Sequence, residues 1–368
     1  MTHGRLPAFR PLASFVLLAS PAAALAHGGD VHEGQPWWTM WQFSPEIVFG
    51  ILFAGWVYGR GVAKGDSVAR WRILAFYAGL AALAAALLSP IEPLADHVFA
   101  IHQVEHMLLR SIGPMLILIG APQAALMRGV PDWLRRPIIQ PMVSSSSVRS
   151  VFGFLSMPAV ATFFFLFATY FWMVPAWHDI AILDEPIHYC WHVSLLVSGL
   201  FFFSVLFDPR PAPAGPRLGT RLVMFFLAAM GNILLGAFLS FKTHQLYYAY
   251  DAMGRLWGID PISDEQIGGL TMWIPGTMMF ALSAIYVLFR WGSEEGRIDL
   301  RRTRMGTSAI HAAEARASAS RNNRIVAVGL GSFAALVLAI AIAASALYEH
   351  ELGTDPMTRG VAQAQARS

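Results

Sequence analysis

The residues best suited to chemistry stand in one apolar stretch. From Asp96 to Arg110 the chain reads Asp-His-Val-Phe-Ala-Ile-His-Gln-Val-Glu-His-Met-Leu-Leu-Arg, and an apolar run from Ser111 to Ala121 follows. This is the start of a membrane-spanning helix, yet it carries His97, His102, His106, Glu105 and Arg110. Ionisable groups inside a span are costly and face a protein interior or a water-filled cavity. His102 and His106 are four apart, so they share a helical face. A helix starting near His97 sets His106 about 13 Å into the membrane, at about 1.5 Å per residue. His188 and His192 repeat the spacing later in the chain. Two imidazoles at i and i+4 reach a single ion, and two such helices side by side supply up to four nitrogens. That donor set suits copper or zinc.

Other groups are candidates beside these four. His97, His178 and His244 fall near the same ends of the expected spans. Met107 and Met272 offer thioethers, which shift preference toward cuprous ion, although packing is the plainer role for a methionine. Glu105 neighbours His102 and can orient it or take its proton. Arg110 lies one turn beyond His106, too deep to reach water, and must meet a carbonyl or an acid. Asp264 and Glu265 open the seventh span, where they complement a helix dipole or collect a cation. Cys190 points away from His188 and His192 on a helix, which favours packing over ligation.

The elements that position these residues follow from composition. Of 368 residues, 56% are hydrophobic and 13% charged, and the mean hydropathy is +0.51. This is an all-α polytopic membrane protein. One cysteine excludes an internal disulfide framework and any cysteine-built zinc or iron–sulfur site within one chain. There is no glycine-rich phosphate loop and no nucleophile elbow, so a non-enzymatic role is expected, and nothing points to nucleic acid.

Residues 1–26 read as a signal peptide with a basic start, a short apolar core and an Ala24-Leu25-Ala26 cleavage site. Cleavage would free His27, whose amine and imidazole can chelate copper; a solvated periplasmic segment over residues 27–45 is the plainer reading. Eight spans are expected: Glu46–Val62, Trp71–Ser89, Val98–Gly120, Pro158–Val174, His188–Phe207, Arg221–Phe241, Gly268–Phe289 and an appended Ile325–Leu347. The first seven make a domain over residues 46–290. A basic connector covers 291–324, and a polar tail 348–368. Arginines crowd alternate loops, such as Arg128, Arg135, Arg136 and Arg149, and acids the others. By the positive-inside rule the arginine loops are cytoplasmic. Both mature termini are then outside, and the paired histidines lie toward the outer side of the inner membrane.

The combined pattern resembles the CtaG family of cytochrome c oxidase assembly factors, the polytopic kind found beside caa-type oxidases. The resemblance is carried by His102-Gln103-Val104-Glu105-His106-Met107-Leu108-Leu109, the closing Gly120-Ala121-Pro122, His188 to His192, and Asp264 to Trp273. It covers about Ser44 to Arg290. It implies a protein that helps copper reach the oxidase catalytic subunit, receiving it from periplasmic copper chaperones, with His102, His106, His188 and His192 as the motif histidines. Two other readings remain open. A b-type haem needs axial ligands on opposite faces of the ring, which His102 or His106 with His188 or His192 can supply once. A copper transporter needs polar or thioether groups through the membrane, and Met115, Met224, Met230, Asn232, Met278 and Met279 lie deeper.

Overall fold

The computed structural model describes residues 36–65, 68–210 and 214–304. The signal-like segment, the greater part of the connector, the Ile325–Leu347 span and the tail lie outside the described residues. Among the described residues every regular element is helical. In lipid this is the expected solution, because a helix satisfies its own backbone donors and acceptors.

In chain order the main helices are α1 (Pro45–Ala63), α2 (Arg70–Leu88), α3 (Phe99–Ile119), α4 (Gln123–Gly129), α5 (Ser146–Leu155), α6 (Pro158–Trp172), α7 (Pro175–Leu183), α8 (Glu185–Leu206), α9 (Leu218–Phe241), α10 (Ala249–Met253) and α11 (Pro261–Arg304). Five are long and apolar enough to cross a membrane: α1, α2, α8, α9 and the Pro261–Ser293 part of α11. Two bent pairs pass the same test together, α3 with α4 at 80° and α5 with α6 at 71°. The count reaches seven if each bent pair is one span. The bends have local causes: Ala121 has φ of 50° just before Pro122, and Pro158 opens α6. The exposed side chains of the spans are apolar, among them Phe49, Leu52, Phe163, Phe238 and Leu282, a surface made for lipid.

The site belongs to one compact unit, Met1–Val287. The other unit runs from Leu288 to Ser368, and its described part continues helically to Arg304. In the first unit, small residues let helices touch backbone to backbone, as membrane packing requires. A Cβ built on Gly199 of α8 would stand 2.0 Å from the Arg110 carbonyl oxygen of α3. One built on Gly269 of α11 would stand 2.7 Å from the Gly236 carbonyl of α9. α3 itself is not regular. Over Leu108–Ile112 it opens into a π-helical turn. Pro114 lacks the N–H that would bind the Arg110 carbonyl, which relaxes the α-helical ladder there.

At the histidine end, two buried acids and one half-buried acid tie the connections down. Asp264 on α11 accepts from the backbone N–H groups of Phe99 and Ala100, both at 2.9 Å, and pairs with Arg255. It therefore caps α3, a helix far from it in sequence. Glu265 accepts from the N–H groups of Leu246 and Tyr247 and pairs with Lys242. Asp179 on α7 accepts from Tyr248 and Ala249 at the start of α10.

The α3–α8 contact gives a direct test. Gly199→Ala must force backbones apart and should cost about 1–3 kcal/mol. Gly153→Ala on α5, where a Cβ meets nothing within 4 Å, should be neutral or gain up to about 1 kcal/mol. Thermal unfolding of the two purified variants in detergent checks this, and equal melting temperatures would contradict the contact.

Candidate metal centre

α3 and α8 each offer two histidines at i and i+4, and the Gly199 contact sets those faces together. One ring nitrogen from each of His102, His106, His188 and His192 falls within 4.8 Å of the others. All four side chains are buried, and His102 is 0% exposed. The tightest pair is Nε2 of His102 and Nε2 of His106, at 2.7 Å. Four donors at bonding distance of about 2.0–2.1 Å around a tetrahedral ion stand about 3.3 Å apart. The observed spread brackets that value, so this buried cluster can hold a metal ion with modest turns of its rings.

The surrounding charges suit a cation. Glu105 sits on α3 at 0% exposure, with its Oε1 3.4 Å from Nε2 of His192. Neither of its carboxyl oxygens has a hydrogen-bond partner among the described residues. A sealed carboxylate without such partners needs a positive charge or a proton nearby. Asp96, at the mouth of α3, lies 3.6 Å from Nδ1 of His188, which leaves the Nε2 of that ring for the cluster.

Aromatic residues fix the rings. Trp191, between His188 and His192 on α8, is 0% exposed. Its ring centroid is 4.8 Å from that of His102 and 4.5 Å from that of His106. Tyr250 of α10 places its hydroxyl 2.7 Å from Nδ1 of His102 and 2.9 Å from Nε2 of His178. His178 in turn sets Nδ1 3.1 Å from the Trp172 carbonyl. Burial pushes His178 down to about 3, so it is neutral, and burial together with Asp264 and other acids holds the Tyr250 hydroxyl well above its ordinary range.

The remaining sequence candidates sit apart from the four-histidine set. His178 stands one shell out, against Tyr250. His97 donates from Nδ1 to the Gly254 carbonyl at 2.8 Å. His244 is exposed, and its carbonyl accepts from Lys242 at 2.8 Å. Asp264 and Glu265 are engaged with helix and loop backbone, as described above. Met107 and Met272 line a small cavity beside His106, together with Arg110. Arg110 meets neutral partners rather than an acid: it donates to the Thr169 hydroxyl and, at 2.9 Å, to Asn232 Oδ1. Trp191 and Tyr250 escape sequence reasoning. Trp191 is one tryptophan among 12, although its place one turn after His188 was a usable clue. Tyr250 lies in a connection, and nothing local marks it.

Comparison with known proteins gives relatives and a family. An uncharacterised protein of Mycobacterium bovis is 23% identical over 284 residues, and one of Mycobacterium leprae is 25% identical over 289 residues. Each alignment covers 73% of this chain and 42% of the relative. The chain thus spans less than half the length of the curated relatives it matches. No solved structure matches. Residues 52–294, which include all four clustered histidines, match the family described as cytochrome c oxidase caa3 assembly factor. The chain is a membrane protein and belongs to this Caa3_CtaG family of oxidase assembly factors.

Proposed function

We propose that the chain binds copper in the four-histidine cluster, at the outer face of the inner membrane, and passes it to cytochrome c oxidase during assembly. The observation that carries this reading is the convergence of four imidazole nitrogens within 4.8 Å beside the buried Glu105, in a family of oxidase assembly factors. Imidazole suits copper, and copper binds such sites more tightly than the other first-row divalent ions. Copper is cargo here and must leave again. The arginine-rich alternate loops support an outward-facing cluster.

The geometry favours delivery over the two other readings. In a haem site two imidazoles lie along one axis and the macrocycle fills the plane between them. Here the second imidazole of each helix would occupy that plane. A transporter needs a path for a cation past the cluster. The guanidinium of Arg110, 5% exposed and deeper on α3, stands on that path.

Hydrogen bonds prepare His102 as a ligand. The Trp172 carbonyl can only accept, so His178 carries its proton on Nδ1 and presents a lone pair at Nε2. The Tyr250 hydroxyl donates to that lone pair. The Tyr250 oxygen then accepts from Nδ1–H of His102, which leaves Nε2 of His102 with a lone pair facing the cluster. Partners of this kind set the tautomer and orientation of a metal-binding histidine.

Two measurements test the site. Purified full-length protein should carry copper that falls in both His102→Ala and His192→Ala, with no haem bands in the visible spectrum. Undiminished copper in both variants would overturn the shared site. Tyr250→Phe keeps the ring and removes the hydroxyl, and copper affinity should fall about 10–100-fold in competition titrations. Affinity unchanged in a folded Tyr250→Phe protein would remove this tyrosine from the preparation of His102.

A further inference from the structure

A second polar site lies beside the histidines. Its centre is Arg110 on α3, 5% exposed and lying over the Phe165 ring, 4.6 Å from the centroid. Arginine stays charged in proteins and has five N–H donors. Here it donates to Thr169 and Asn232, both neutral. No acid forms an ion pair with it among the described residues. A buried charge in a span ordinarily finds a partner of opposite sign.

The groups around it share one character. Arg110 borders a cavity of about 20 Å³, together with Gln103, Ser111 and Trp191. Gln103, Ser111 and Trp191 are each 2% exposed or less. The Nε2 of Gln103, the Nε1 of Trp191 and the Oγ of Ser111 have no hydrogen-bond partner among the described residues. The amide and indole nitrogens are donors, and the hydroxyl can be one. Unpartnered buried donors on residues that line a common space with a fixed positive charge ask for an acceptor that carries negative charge.

We propose that this cavity binds one small monovalent anion of the halide class, held by Arg110, Gln103, Trp191 and Ser111. The size sets the class: about 20 Å³ is room for one occupant near the size of water, too little for sulfate or phosphate. The charge sets the sign. Met107, Met173 and Met272 also line the cavity, and their thioethers alone would suit cuprous ion. A cation there would sit against the guanidinium. His106 also borders the cavity, but none of the four holding groups is a histidine, so the test reads the anion apart from the metal.

The test is binding of radioactive chloride to the purified full-length protein, in a background of sodium gluconate. Wild type should bind chloride saturably, near one ion per chain, and bromide but not sulfate should displace it. Arg110→Gln should abolish the binding. Trp191→Phe and Gln103→Leu, which keep Arg110 and remove one donor each, should each weaken it about tenfold. Absence of saturable chloride binding in wild type would overturn the proposal, as would wild-type affinity in a folded Arg110→Gln protein. If Arg110→Gln does not fold, the donor variants decide: unchanged affinity in both overturns the site, and weakened affinity in both supports it.

Discussion

The distance between α3 and α8 governs this molecule. Each helix carries its own histidine pair, but two nitrogens on one helix make half a site. Gly199 has no side chain, and the Arg110 carbonyl oxygen takes the space a Cβ would need. That contact is close enough for imidazoles from both helices to converge. A larger residue there would clash with the Arg110 backbone and push the two helices apart. Backbone proximity through small residues is how helices associate where no hydrophobic effect drives them together.

Orientation is a separate problem, and it is solved from the connections. Asp264 caps α3 across 165 positions of sequence, which holds the start of that helix against α11. Glu265 and Asp179 pin the backbone from Leu246 to Ala249, just before Tyr250. Tyr250 can then reach His102 and His178 at once. Acids that would suit a cation-collecting rim serve as anchors for the residues that aim the histidines. Trp191 fills the space between the rings and excludes water from them.

Charge links the two polar sites. Glu105 and Arg110 are both buried on α3, and among the described residues neither meets a strong counter-ion through a hydrogen-bonded pair. A cation among the histidines would answer Glu105, and the proposed anion in the neighbouring cavity would answer Arg110. Arg110 lies within the π turn of Leu108–Ile112 and meets Thr169 and Asn232.

Much of this was legible in the residues alone. Apolar runs of span length are a local property, so the helices of the membrane domain follow from composition, as do the two i, i+4 histidine pairs. The motif residues also carried the family. What the chain by itself could not decide is which helices touch. His102 and His188 are distant in sequence, and their meeting depends on glycine contacts whose partners no local pattern names. For the same reason Asp264 and Glu265 read as loop acids until the fold set them against α3 and the connection before α10. Tyr250 and Trp191 acquire a role only from what surrounds them. Spacing along one helix is written in the sequence because helical geometry is fixed at every residue. Spacing between helices is decided by packing, which only the tertiary structure expresses.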